Sequence, residues 1–272
     1  MTDKTQPDSE TVIEGETTNQ TSEQVVEPIV EAERARHRGI YLLPNLLTTG
    51  AMFAGFYAIL SGMDGKFEAA AIAIFVAMIF DGLDGRVARM TNTSTDFGVE
   101  YDSLSDMVSF GVAPAVIAFS WMLNEAGRIG WAAAFIYASC AALRLARFNT
   151  QVGTTPKGHF VGLPSPMAAA LIAGMIWVWS GSDLEAGTGT ALMAAFVTAM
   201  AGLLMVSNFR YNSFKESGPK GKVPFMVVSA VAVGLAILTI DPPRILLLIA
   251  FVYAMSAPVL FIWRKARRQP VK

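Results

Sequence analysis

The sequence has little of what nucleophilic or zinc-based enzymes usually use. Its 272 residues include one cysteine, Cys140, and two histidines, His37 and His159. One cysteine cannot close an internal disulfide, and a zinc site needs several ligands. Set in an apolar run, Cys140 reads as a small buried side chain. The histidines lie far apart in sequence, which leaves a Ser-His-Asp or His-metal mechanism little to work with. Charge is scarce: 16% of residues carry it, against about 25% in an ordinary soluble domain. Net charge is −1, so the total says nothing about partners, and no nucleic-acid partner is expected. Residues 1–33 lack the basic start and apolar centre of a signal peptide. They are rich in Thr, Gln, Ser and Glu, a composition that buries too little to offset its ordering entropy. Residues 1–38 are therefore expected to form a disordered acidic tail.

Apolar residues make up the balance, at 53% of the chain with a positive mean hydropathy. Beyond Arg38 they fall into eight long runs: 41–62, 67–90, 98–123, 128–148, 165–181, 187–206, 223–240 and 244–263. A helix crossing a bilayer needs about 20 mostly apolar residues, and open sheets cannot sit in lipid. Strands are accordingly not expected. The fold class is all-α, a polytopic membrane helix bundle of about eight transmembrane helices. Basic residues set its orientation. With the N-terminus cytoplasmic, 18 of the 21 Lys and Arg residues fall on the cytoplasmic side and only Lys66, Arg128 and Arg244 on the other. The positive-inside rule requires such an asymmetry.

Carboxylates interrupt two of these runs. The second ends Phe80-Asp81-Gly82-Leu83-Asp84-Gly85-Arg86-Val87-Ala88-Arg89, and the third begins Gly98-Val99-Glu100-Tyr101-Asp102-Ser103-Leu104-Ser105-Asp106. Each carboxylate at mid-helix costs roughly 2.5–3.5 kcal/mol on insertion scales, so the four need a compensating cation. Asp81 and Asp84, three apart, share a helix face with Gly85 and Ala88; Asp102 and Asp106, four apart, share one with Gly98. Small residues on both faces let the helices approach closely. All-oxygen ligation suits hard cations such as Mg²⁺, Mn²⁺ or Ca²⁺. Four aspartates can hold two ions, the arrangement that clamps both oxygens of an in-line phosphoryl displacement. Spacing alone leaves a cation-transport site equally open.

The pattern Asp81-x2-Asp84-Gly85-x2-Ala88-Arg89-x8-Gly98-x3-Asp102-x3-Asp106 resembles the complete signature of the CDP-alcohol phosphotransferases. The resemblance implies a six-helix catalytic core, here residues 39–206. Two additional helices and a basic tail then fill 207–272. It also implies a divalent cofactor, Mg²⁺ or Mn²⁺ as two ions, held by Asp81, Asp84, Asp102 and Asp106, with Asp106 as general base. Gly85, Ala88 and Gly98 would give the nucleotide room, and Arg89 would hold a phosphate. The family is also similar at Leu43-Pro44-Asn45-Leu46-Leu47-Thr48, which puts Asn45 and Thr48 on the donor's phosphate or cytidine. A homodimer is implied as well.

Three further segments resemble the phosphatidylserine synthase branch: Asp102 to Ala115, Leu143 to Asn149 and Lys157 to Pro166. By that resemblance the donor is CDP-diacylglycerol and the acceptor serine, in the inner (cytoplasmic) membrane with the active site facing the cytoplasm. Arg forks bind carboxylates in bidentate fashion. Arg144, Arg147, Asn149 and Lys157 are thus the acceptor-binding candidates. Glycerol 3-phosphate, an inositol phosphate or choline remain open as acceptors.

Overall fold

A computed structural model describes residues 20–93, 95–150, 159–181, 187–212 and 225–267. Lys157 lies outside these residues. The chain divides into two units, Met1–Leu42 and Leu43–Lys272. In the first, the backbone is helical from Gln20, inside the stretch expected to be disordered. Once an apolar span has nucleated a helix, each further residue adds at little cost, and the Glu, Gln, Ala and Arg before it are good helix formers.

Each apolar run is one helix. Among the described residues these are α1 (Gln20–Met63), α2 (Phe67–Thr91), α3 (Asp96–Trp121), α4 (Arg128–Thr150), α5 (Ser165–Ser180), α6 (Thr188–Val206), α7 (Phe225–Leu238) and α8 (Pro242–Arg267). Five are long and apolar enough to cross a membrane: Leu42–Met63 of α1, then α3, α4, α6 and Pro242–Trp263 of α8. α5 is apolar but shorter, and α2 carries the charges of the aspartate motif. The chain is a polytopic helical membrane bundle.

Strands were not expected, yet the described residues include two. β1 (His159–Val161) pairs antiparallel with β2 (Arg210–Asn212), Phe160 opposite Tyr211. The lipid argument still holds, because both lie in the connections outside the apolar runs. Gly162 N–H extends the ribbon to Phe209 O, and Leu163 N–H straps it to the end of α6 at Leu204 O, each 2.9 Å. Gly162 sits at φ 84°, where any other L-residue is strained. The buried Tyr211 hydroxyl donates to the Ala254 carbonyl of α8 at 2.9 Å. Burial pushes that phenol up to about 12, so it stays a donor at neutral pH.

Alanine dominates the core: Ala58, Ala70, Ala71, Ala77, Ala113, Ala118, Ala141, Ala168 and Ala169 are all fully buried. Without water between helices, close backbone approach drives their association, and small residues allow it. α1 and α3 are the clearest case. Ser105 donates to the Thr48 carbonyl at 3.1 Å and Ser109, one turn on, to the Ala51 carbonyl at 3.0 Å. A Cβ on Gly55 would lie 2.7 Å from the Ser109 Cα, so only glycine fits there.

α3 is not uniformly α-helical. Directly after Asp106 it widens into a π-helical turn, Met107–Val112, a deviation that often marks functional sites. Pro114 follows and has no N–H to return to the carbonyl four residues back, Phe110. That carbonyl instead accepts from the fully buried Tyr137 hydroxyl of α4 at 2.9 Å. Tyr137→Phe should therefore leave a buried acceptor unmet and cost roughly 1–3 kcal/mol. A thermal scan in detergent should show a lower midpoint than wild type, and an unchanged midpoint would mean that the turn does not depend on this bond.

Candidate functional site

The site forms where α2 ends and α3 begins. α2 closes on Asn92, whose left-handed φ of 53° stops the helix. Three residues on, Thr95 caps α3 by accepting from the Gly98 N–H at 3.0 Å. The chain is thus reversed over a few residues, and the motif aspartates of the two helices meet.

They meet unequally. Asp81, Asp102 and Asp106 each offer an oxygen within 4.8 Å of the other two. Asp84 turns aside: it is 4% exposed and accepts from the Thr48 hydroxyl at 2.7 Å. The Thr48 hydroxyl has a single proton, so its other neighbour, the Pro44 carbonyl at 3.1 Å, is the weaker partner. The divergence follows from helix geometry. Residues three apart lie about 60° apart around the axis, enough to give Asp81 to α3 and Asp84 to α1.

Asp84 faces a second compartment, a pocket of about 160 Å³. Pro44, Asn45, Thr48, Asp84, Gly85, Ala88, Arg89, Gly98 and Asp102 line it, with Thr93, Thr95 and Val99. All six residues expected to touch the donor are therefore together, beside Asp84 and Asp102. A Cβ on Gly98 would come within 3.2 Å of Thr95 Oγ1 and 3.5 Å of Asn45 Oδ1 and fill the space. The pocket is smaller than the roughly 300 Å³ at the low end for small-molecule sites. It has room for part of a nucleotide, its phosphates or its base. Arg86 is exposed and absent from the lining.

The residues expected at the acceptor are split. Arg144 donates to the Oγ of fully buried Ser165, at the start of α5. It lies within electrostatic reach of Asp106 and Asp81, on the acid cluster itself. Arg147 is turned the other way, to Asn208 Oδ1 at 3.2 Å. Asn149 is held against α3, accepting from Ser103 at 3.1 Å and donating to Glu100 at 3.4 Å. Sequence reasoning missed Ser165, whose Pro-Ser-Pro setting reads as a helix start, and Ser103 and Glu100, which carry no signal beyond polarity inside the motif.

Chemically, the trio has the donor set of a hard-cation site. Three anionic oxygens this close repel one another unless a proton or cation sits among them, and an all-carboxylate set suits Mg²⁺ or Mn²⁺. Asp81, Asp102 and Asp106 fit such an ion, and Asp84 stands ready at the edge of the pocket.

Comparison with known proteins agrees. The sequence profile of the CDP-alcohol phosphatidyltransferase family matches residues 41–207. A CDP-diacylglycerol–serine O-phosphatidyltransferase of Helicobacter pylori is 40% identical over 177 residues, 65% of this chain and 74% of that protein. One of Mycobacterium leprae is 32% identical over 224 residues, 80% of this chain and 74% of its own. An archaetidylserine synthase of Methanothermobacter thermautotrophicus is 37% identical over 171 residues, 62% of this chain and 69% of its own.

Binding of the ion can be measured without turnover. Free Mn²⁺ at 100 times its dissociation constant should stabilise the protein by about 2.7 kcal/mol. The gain should vanish in Asp81→Asn and Asp102→Asn. Thermal scans with and without Mn²⁺ read it directly, and a full shift in either variant would remove that residue from the ligand set.

Proposed function

The chain belongs to the CDP-alcohol phosphatidyltransferase family, and we propose that it moves the phosphatidyl group of CDP-diacylglycerol onto the hydroxyl of L-serine, releasing CMP. One observation supports this reading: the cationic fork of Arg144 lies within electrostatic reach of Asp81 and Asp106 of the acid cluster, and a separate pocket beside Asp84 and Asp102 is lined by the donor candidates. The names of the relatives, serine transferases across two domains of life, support the acceptor.

The donor's CDP portion sits in the pocket between α1, α2 and α3, its phosphates toward Arg89. The acceptor's carboxylate pairs with Arg144, which places its hydroxyl near Asp106. An alcohol is a weak nucleophile until its proton has somewhere to go. The Asp106 carboxylate accepts that proton, and the serine oxygen bonds to the lipid-side phosphorus. The pyrophosphate P–O bond breaks, and CMP leaves with the electron pair. Asp81, Asp84, Asp102 and Asp106 would hold divalent ions, two in this reading, which would supply the charge that polarises the pyrophosphate and stabilises the leaving phosphate. Ser105 and Ser109 hold α3 on α1 and so fix where Asp106 stands.

The reading further has a homodimer in the cytoplasmic membrane, its site open to the cytoplasm. The distribution of Lys and Arg supports that orientation.

Purified protein in detergent, given CDP-diacylglycerol and Mn²⁺, should release CMP only when serine is added and should stop on chelation. Asp106→Asn should lower kcat by about 10²–10⁴. Release with glycerol 3-phosphate instead would keep the aspartate site and replace the acceptor, and full turnover by Asp106→Asn would take the base role from Asp106.

A further inference from the structure

The family profile ends at residue 207, and α8 lies wholly beyond it. α8 nevertheless reaches the catalytic side of the bundle. Its buried face is the stripe Ala250, Ala254 and Ala257, each at most 4% exposed, and it packs on α5. A Cβ on Gly174 of α5 would lie 3.1 Å from the Leu247 Cα. This close approach fixes both the distance and the rotation of α8.

Tyr253 stands next to that stripe. Its ring stacks on Tyr211 of β2, centroids 5.5 Å apart and planes 29° apart. Tyr211, 1% exposed, is itself locked by its bond to the Ala254 carbonyl. Tyr253 is only partly buried, and it lies within electrostatic reach of the Arg144 guanidinium. Arg144 is in turn held by Ser165. Two elements remote in sequence thus reach the Arg144 cation, Ser165 from α5 and Tyr253 from α8, and Tyr211 of β2 backs Tyr253 through the stacked rings.

Resting on the serine reading above, we propose that Tyr253 is an acceptor-binding residue whose hydroxyl donates to the carboxylate that Arg144 binds. The ribbon and α8 then form the wall of the acceptor pocket. The chemistry favours this role. A carboxylate has about four lone-pair sites and one guanidinium fork fills two, so a second donor at its flank completes the shell. A site built to hydrogen-bond a substrate group strongly rejects analogues that lack it. Tyr211 and Ser165 are positioning residues, acting through Tyr253 and Arg144.

The test is Tyr253→Phe in the full-length enzyme, which keeps the stacked ring and removes only the hydroxyl. CMP release gives KM for serine, KM for CDP-diacylglycerol and kcat, and the same assay is run with serinol, which has serine's hydroxyl and amine but no carboxylate. KM for serine should rise roughly tenfold or more, as expected for losing a bond to a charged group, with KM for CDP-diacylglycerol little changed. The preference for serine over serinol should fall by a similar factor, and Tyr253→Trp should not restore it. An unchanged serine KM, or a fall in kcat without loss of that preference, would overturn the inference. No serine-dependent release by wild type would instead sink the reading it rests on, so the two failures are distinct.

Discussion

The constraint on which this molecule turns is repulsion among carboxylates that an apolar bundle brings together. Asp81, Asp102 and Asp106 crowd their oxygens within 4.8 Å of one another, where like charges strongly disfavour joint ionisation. The helices hold them there regardless, because the packing that places them is independent of the charge. Ser105 and Ser109 tie α3 to α1 through backbone carbonyls, and glycine at position 55 lets the two backbones touch. The cluster is therefore built in advance, and a divalent ion bound there would relieve a repulsion that the fold has already imposed. Preorganisation of this kind makes electrostatic stabilisation effective at the moment of reaction.

Division of labour among the aspartates follows from the same geometry. Asp84 is drawn from the cluster by Thr48, a residue of α1, and so joins the wall of the nucleotide pocket. One helix turn of α2 thus faces two compartments: Asp81 the acid cluster, Asp84 the pocket, with Gly85 and Ala88 in the pocket lining between α1 and α3. Arg144 closes the opposite flank. Its guanidinium is oriented by a buried serine from a different helix, so its fork does not swing freely toward headgroups as Arg86 can.

Much of this was legible in the sequence, and for physical reasons. Eight apolar runs became eight helices because bilayer thickness fixes element length and lipid excludes open strands. The aspartates were legible because a carboxylate in such a run has to be compensated. Asn45, Thr48, Arg89 and Gly98 followed from the resemblance and do line one pocket. The ribbon was not legible. Three-residue strands have no usable periodicity, and Phe160 and Tyr211 are paired by the ends of α4, α5 and α6, not by local pattern. Nor could spacing separate Arg144 from Arg147. Both stand at the end of α4 in one basic stretch, and only the neighbours Ser165 and Asn208 reveal that they face different ways.

Tyr253 carries the point furthest. Inside an apolar run an aromatic residue reads as packing or as lipid-facing surface, and its chemistry appears only when the helix is rotated into place. That rotation is set by alanines one residue and one turn away, and by a glycine on α5 that no motif includes. The residues proposed for the donor and the ion come from the first three helices, most of them in one motif on α2 and α3. The residues proposed for the acceptor, Arg144 and Tyr253, come from α4 and α8 and are positioned by α5 and β2, where placement depends on packing over long sequence separations. The two halves of the proposed site are thus specified by different parts of the chain.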